Sequence, residues 1–249
     1  MKTIALLASL FVLASATRAS VTEKFTQTYP LTADGVIHLE NINGDIQIAA
    51  WDQPGVSLVA EKRARDDEEL KRIELIIEAQ PAHLSIRTKY TKKSGWSFFG
   101  NNNQGSVHYT LLVPAGVQLD KIDSVNSDIT VKGVHGTVNL NTVNGRIDAS
   151  GLAANAWLES VNGSLNAQFA STLKVQEVKL ESVNGSAEIT LPAEGGAHLE
   201  AETVNGGITI DPSIRQSKSG RTSVRGDIGT GGPRIRLETV NGGIRVKQG

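Results

Sequence analysis

Six acidic residues recur at one position of a repeated phrase, and a row of carboxylates invites two kinds of chemistry. Glu40, Asp123, Glu159, Glu181, Glu202 and Glu238 each stand three residues before an asparagine, with Asn141 as the one departure. Stacked carboxylates can hold calcium, and a pair flanking a sugar bond can cleave it by general acid and base. Two residues further upstream runs a second column: His38, Lys121, Trp157, Lys179, Glu200 and Arg236, with Asn139. Residues two apart share a strand face, so Lys121–Asp123, Lys179–Glu181 and Arg236–Glu238 are expected to pair. Like charges ~5 Å apart in water repel by only ~0.8 kcal/mol, which flanking cations offset. The column therefore reads as a solvated charged face. Glu200 with Glu202 is the uncompensated cluster, and the calcium candidate.

Other chemistry is not spelled out. The five histidines (38, 83, 108, 135 and 198) have no metal-binding spacing. Neither a Gly-x-Ser-x-Gly nucleophile motif nor a phosphate loop occurs, and Gly229-Thr230-Gly231-Gly232 lacks the strand–helix setting of a nucleotide loop. No calcium loop of the nonapeptide or twelve-residue kind is present. The expectation is a protein with no catalytic residues, cofactor or metal. Arg225-Gly226-Asp227 spells an integrin-binding tripeptide, but in a Gly-rich turn this reads as coincidence.

Two segments combine charge with exposure. Residues 89–106 bring Lys92 and Lys93 beside Trp96, Phe98 and Phe99, a combination suited to an anionic glycan, a membrane surface or a partner protein. Residues 213–234 carry five Lys or Arg. These loops are the candidate interaction sites, against the plainer reading that the aromatics cap an end of the fold.

What must position these residues is the repeat itself. Val/Ile-Asn-Gly occurs at Asn43, Asn144, Asn162, Asn184, Asn205 and Asn241, and Val125-Asn126-Ser127 is a seventh copy with serine at the glycine site. From Asn126 onward the gaps are 18, 18, 22, 21 and 36 residues. A fixed period near 20 signals a solenoid. The double-length last gap predicts one coil between Asp211 and Pro233 that lacks the motif. Three and five residues after each Asn stand mostly Ile, Leu, Val or Ala, with polar residues between them, and four before stand Leu39, Ile122, Leu140, Leu158, Leu180, Ala201 and Leu237. That is inside–outside–inside on strands.

Asn-Gly is also the strongest hairpin signal, so an antiparallel sandwich is the competing arrangement. Here each turn has the same strand on each side, repeated at one full period, which favours stacking like on like. The expected fold is all-β: a parallel β-solenoid of about 18–22 residues per coil, with a strand-rich N-terminal cap and one short helix near Ala64–Arg72. Residues 20–118 hold the first rung and a cap or insertion at 49–118. Residues 119–249 hold the repeats, in one continuous domain with 20–118. Asn tolerates left-handed backbone and Gly favours no hand, so the pair is expected to turn the corner. The seven asparagines are expected to form a hydrogen-bonded column.

Composition narrows the class. Aromatics make up 4% of the chain and cysteine is absent, which excludes disulfides, thiolate metal sites and a cysteine nucleophile. The net charge of -1 steers no nucleic acid. Residues 1–19 read as a cleaved signal peptide: Lys2, an apolar run from Ile4 to Ala14, and small-residue sites ending at Ala16 and Ala19. Removing them leaves 23 basic and 26 acidic residues, a net charge of -3. No stretch is long and apolar enough for a membrane-spanning helix, so the product is expected outside the cytoplasm, periplasmic or extracellular.

The first rung Leu39-Glu-Asn-Ile-Asn-Gly-Asp-Ile46, followed by Trp51-Asp52, and Val113-Pro-Ala-Gly116 opening the Thr/Ser-Val-Asn-Gly-x-Ile rungs carry a resemblance. Over roughly residues 24–249 the chain resembles the bacterial putative-adhesin family of unknown function. That resemblance implies a β-solenoid cell-envelope protein, with no established catalytic residues to carry over. The expected role is a structural or adhesin-like interaction module, with an envelope protein or a glycan as its partner. The alternatives are a polysaccharide-binding or polysaccharide-cleaving β-helix enzyme and a calcium-stabilised surface adhesin.

Overall fold

The computed structural model describes residues 20–91, 105–172, 174–211 and 218–249. Residues 1–19, expected above to be a signal peptide, and the loop residues Lys92, Lys93, Trp96, Phe98 and Phe99 lie outside them. The described residues begin with β1 (Val21–Tyr29) and a rung of two strands, β2 (Val36–Glu40) and β3 (Ile46–Trp51). After β4 (Val56–Ala64), the helical turn α1 (Asp67–Leu70) and β5 (Ile73–Gln80) comes a rung of β6 (His83–Tyr90) and β7 (Ser106–Pro114). Next come β8 (Gln118–Asn126) with β9 (Ile129–Lys132), and β10 (Val138–Asn144) with β11 (Ile147–Leu152). Then follow β12 (Ala156–Asn162) with β13 (Leu165–Phe169), and β14 (Glu177–Asn184) with β15 (Ala187–Leu191). The chain closes with β16 (Ala197–Thr203) and β17 (Ile208–Ile210), a hairpin of β18 (Lys218–Ser219) and β19 (Ser223–Ile228), and the rung of β20 (Arg234–Asn241) and β21 (Ile244–Gln248).

Each rung contributes one strand to each of two sheets. One has the order β1-β4-β7-β3-β9-β11-β13-β15-β21-β17, and the other β18-β19-β16-β20-β14-β12-β10-β8-β2-β6-β5. Rungs stack in parallel and in register: Leu140 on Leu158, Leu158 on Leu180, Leu180 on Leu237. Between the sheets lies one apolar cluster. The leucine column is buried throughout, as are Ile46, Ile129, Ile147, Leu165 and Ile244 three residues after Asn. The inside–outside pattern read from the repeat is the pattern that folds. Among the described residues the antiparallel pairs lie at the ends: β1 on β4, β4 on β7, β5 on β6, β19 on β16 and β18 on β19.

Two expectations need correction. Among the described residues between Asp211 and Pro233 there is no motif-free parallel coil; they form the β18–β19 hairpin, which lies antiparallel along β16. The last rung then returns and inserts between β14/β15 and β16/β17. The 36-residue gap is thus a hairpin excursion and not a skipped repeat. Conversely, the stretch 49–118 contains a full parallel rung, β6/β7, stacked on β2/β3. It lacks the Val-Asn-Gly phrase and so escapes a search for the motif.

The helical turn follows its sequence. Asp66 caps it by accepting from the Glu69 amide at 2.8 Å, while the Glu69 carboxylate accepts from the Arg65 amide at 3.0 Å.

Candidate functional site

The repeated phrase builds two faces of a corner. Inward, the Ser or Thr two residues before Asn is buried, and its hydroxyl donates to a glycine-site carbonyl: Ser182 to Gly163 at 2.9 Å, Ser160 to Gly145 at 3.1 Å, Thr203 to Gly242 at 2.8 Å. In the first rung Asn41 takes that place, donating to the Gly44 and Val107 carbonyls at 2.9 Å each. Outward, the asparagines bond side chain to side chain along the stack. Asn126 donates to Asn43, Asn144 to Asn126, Asn162 to Asn144, Asn184 to Asn162, Asn241 to Asn184 and Asn205 to Asn241, at 2.7–2.9 Å. All seven predicted asparagines come together in one ladder.

The glycine explanation changes. Of the motif glycines only Gly44 has a positive φ, at 104°, and no motif asparagine does. The reason for glycine is rung-to-rung contact: a Cβ on Gly163 would sit 1.7 Å from the Gly145 carbonyl oxygen, and on Gly185 2.1 Å from that of Gly163. Ser127 fits because it stacks on Gly44, the rung with the divergent backbone, and its hydroxyl donates to the Gly44 carbonyl at 2.7 Å.

Outside, the alternation sends the carboxylate column and the valine before Asn to the same face. Val125, Val143, Val161, Val183 and Val240 are 38–42% exposed, and Val204, on the outermost rung, is 67% exposed. Every other aliphatic column of the repeat is buried or nearly so. Along the 11-stranded sheet these side chains line a groove of about 1010 Å³. Five valines from Val143 to Val240 form its apolar stripe, and Asp123, Glu159, Glu181, Glu238 and Glu202 line one side. Among the described residues no Lys, Arg or His lines it.

The predicted cations stand behind the carboxylates. Lys179 Nζ lies 2.9 Å from Glu181 and 3.9 Å from Glu159, Arg236 is 2.5 Å from Glu238, and Lys121 is 3.6 Å from Asp123 and also bonded to Glu40. The hydrogen bond from Lys121 holds the Glu40 carboxyl below its usual range, and Glu40 in turn raises Lys121. The hydrogen bond to Glu181 likewise raises Lys179.

Glu200 and Glu202 are not uncompensated. Arg225 from β19 reaches both, at 2.5 and 3.1 Å. This also disposes of the integrin tripeptide: Arg225-Gly226-Asp227 lies in a strand and not in a turn, and Asp227 bonds His198 at 2.5 Å. Among the described residues no group of three or more His, Asp or Glu is placed to hold a metal.

Residues 37–247 match the Toastrack DUF4097 family. The chain belongs to that family. Among solved structures this Toastrack protein is similar to a "putative cell adhesion protein" from Clostridium sporogenes ATCC 15579, with 13% identity and a TM-score of 0.56, over 92% of this chain and all of that one. At that identity the likeness shows the fold alone. A "putative adhesin" from Bacteroides fragilis NCTC 9343 has 14% identity and a TM-score of 0.36, over 91% of this chain and 97% of that one. Likeness at that level carries no weight here. No curated protein matches the chain.

The valine column is what sequence reasoning missed. Its signal was present: on a strand, the residue before Asn has the same parity as the carboxylate three before it, so both face out.

Proposed function

We propose that this Toastrack protein is an exported, non-enzymatic interaction module of the cell envelope, and that the valine–carboxylate groove is its binding face. One observation carries the reading: an aliphatic residue recurs at the same outward position in every motif rung, and the fold leaves those valines exposed. A contiguous apolar stripe rimmed by polar groups marks an interaction surface, whereas scattered exposed valines would not. Export is supported by the charge, apolar run and small-residue sites of residues 1–19, and by the cell adhesion name of the protein with the similar fold.

Polysaccharide cleavage is the weaker alternative. It needs one carboxyl kept protonated as the acid, yet each of the five groove carboxylates has a cation within 4 Å. The calcium alternative loses its candidate, because Arg225 already occupies the Glu200–Glu202 pair.

The test is sedimentation of the purified protein with isolated cell envelopes, wild type against the double variant Val161→Asn, Val183→Asn. At least a tenfold loss of envelope binding, with the melting temperature unchanged, is expected. Equal binding by both proteins would remove the groove from the reading.

A further inference from the structure

Resting on the groove as the binding face, we propose that its occupant is a basic amphipathic α-helix of a partner protein, of about 16 residues, lying along the valine stripe. Four features of the groove point to this occupant.

The first is spacing. Successive rungs place their valines ~4.8 Å apart, so the five groove valines together with Val125, the exposed valine that continues their column one rung beyond the groove lining, run ~24 Å. A helix advances ~5.4 Å per turn, so its apolar ridge at i, i+3/i+4 and i+7 sets about one side chain per rung. The mismatch is ~0.6 Å per rung and reaches only ~3 Å over the whole stripe. An extended strand repeats its same-face side chains every ~6.7 Å and slips ~2 Å per rung, falling out of phase after two. About 24 Å of stripe corresponds to ~16 helical residues.

The second is hydrogen bonding. The groove lies on the face of a sheet whose inner strands pair on both sides, β10, β12, β14 and β20 among them. It offers no strand edge to a peptide backbone. An occupant must satisfy its own amides and carbonyls, as a helix does.

The third is charge. Five carboxylates line one side with no opposing cation in the lining among the described residues. Their partners Lys121, Lys179, Arg225 and Arg236 stand outside the lining, and exposed ion pairs of this kind are weak enough to exchange. Lys or Arg along one flank of a helix complements that row, whereas phosphate headgroups and acidic glycans are repelled.

The fourth is the chemistry of the stripe. It is aliphatic, and among the described residues no aromatic side chain lines the groove, so sugar rings find no flat face there to stack on, while the ridge of an amphipathic helix finds its ordinary partner. This is helix-in-groove recognition on a sheet.

The experiment measures fluorescence anisotropy of a labelled 17-residue synthetic helix carrying Leu at the ridge positions and Lys along one flank. Titrated with the purified protein, it is expected to bind at least tenfold more tightly than a scrambled peptide of the same composition or a version with Glu in place of Lys. Affinity is expected to fall at least tenfold in the Val161→Asn, Val183→Asn protein, and severalfold in the Glu159→Gln, Glu181→Gln protein and on raising salt. Equal binding of the scrambled peptide, preference for the acidic helix, or indifference to the valine substitutions overturns the proposal. A failed helix titration alongside valine-dependent envelope binding rejects the helix and keeps the groove. Failure of both rejects both.

Discussion

Asn241 donates to Asn184 Oδ1 at 2.8 Å across 57 residues of chain, while Asn205, the next motif asparagine after Asn184 in sequence, lies one step further out and donates to Asn241 at 2.9 Å. The last rung made is therefore not the last rung of the stack. The N-terminal end mirrors this, since β2/β3 lies between β6/β7 and β8/β9. In a plain solenoid each repeat contacts its sequence neighbours and the ends can fray. Here both chain-terminal rungs are internal, and each end is closed by contacts between residues far apart in sequence.

The first prediction follows from that closure. Deleting 234–249 leaves a gap between β14/β15 and β16/β17 and removes the buried Ile235, Leu237, Ile244 and Val246. At ~1.5–3 kcal/mol per buried aliphatic side chain the loss is about 6 kcal/mol or more, comparable with the whole stability of an ordinary domain. Deleting the longer stretch 197–249 leaves a stack that ends cleanly at β14/β15. The larger deletion is expected to retain a cooperative thermal transition and the smaller one to lose it. Cooperative melting of the 234–249 deletion at a higher temperature than the larger one would show that the rung order does not govern stability.

This intercalation was not legible in the sequence, and the reason is physical. The columns Leu39 to Leu237 fix which side chains face inward, because strand alternation is local. They do not fix which rung stacks on which, because every rung presents nearly the same surface to its neighbours. The 36-residue gap thus reads equally well as a skipped coil or as an excursion and return. Rung β6/β7 was hidden for the converse reason: it stacks by the same strand pairing without the Asn-Gly corner. The ladder of seven asparagines was legible because its members share one motif position. The groove was half legible, in its carboxylates and their cations; its valines stand in the motif beside the buried columns, and only strand parity distinguishes their outward direction.

A second prediction separates the two accounts of the corner glycines. If glycine served mainly to permit left-handed backbone, alanine would be tolerated at Gly163, which does not have it. Because a Cβ added at Gly163 would sit 1.7 Å from the Gly145 carbonyl oxygen, Gly163→Ala is expected to destabilise by more than the ~1–3 kcal/mol of ordinary overpacking. Gly207 faces open space among the described residues and lacks positive φ. Gly207→Ala is expected to change stability by less than about 1 kcal/mol, on the stabilising side. Urea denaturation of both variants decides it, and similar costs at the two sites would refute the stacking account.

The third prediction concerns two tyrosines near the N-terminal end of the stack. The buried Tyr109 hydroxyl bonds Thr88 Oγ1 at 2.8 Å. The Tyr90 hydroxyl is also shielded from water; it lies near Asn43 but, among the described residues, makes no hydrogen bond of ordinary geometry. Tyr109→Phe strands the buried Thr88 hydroxyl and is expected to cost about 1–3 kcal/mol, whereas Tyr90→Phe removes a group that already lacks a partner and is expected to be neutral or stabilising. Burial raises both phenols, Tyr90 to about 12. The unfolded chain releases a tyrosine proton near pH 10 while the fold keeps it, so the unfolded state binds fewer protons in that range. The contribution is complete below pH 10 and is lost as pH climbs through about 12. A pH series of melting temperatures should fall in that window for the wild type and less steeply for Tyr90→Phe. Parallel curves for the two proteins would mean that Tyr90 ionises as freely in the fold as in the unfolded chain.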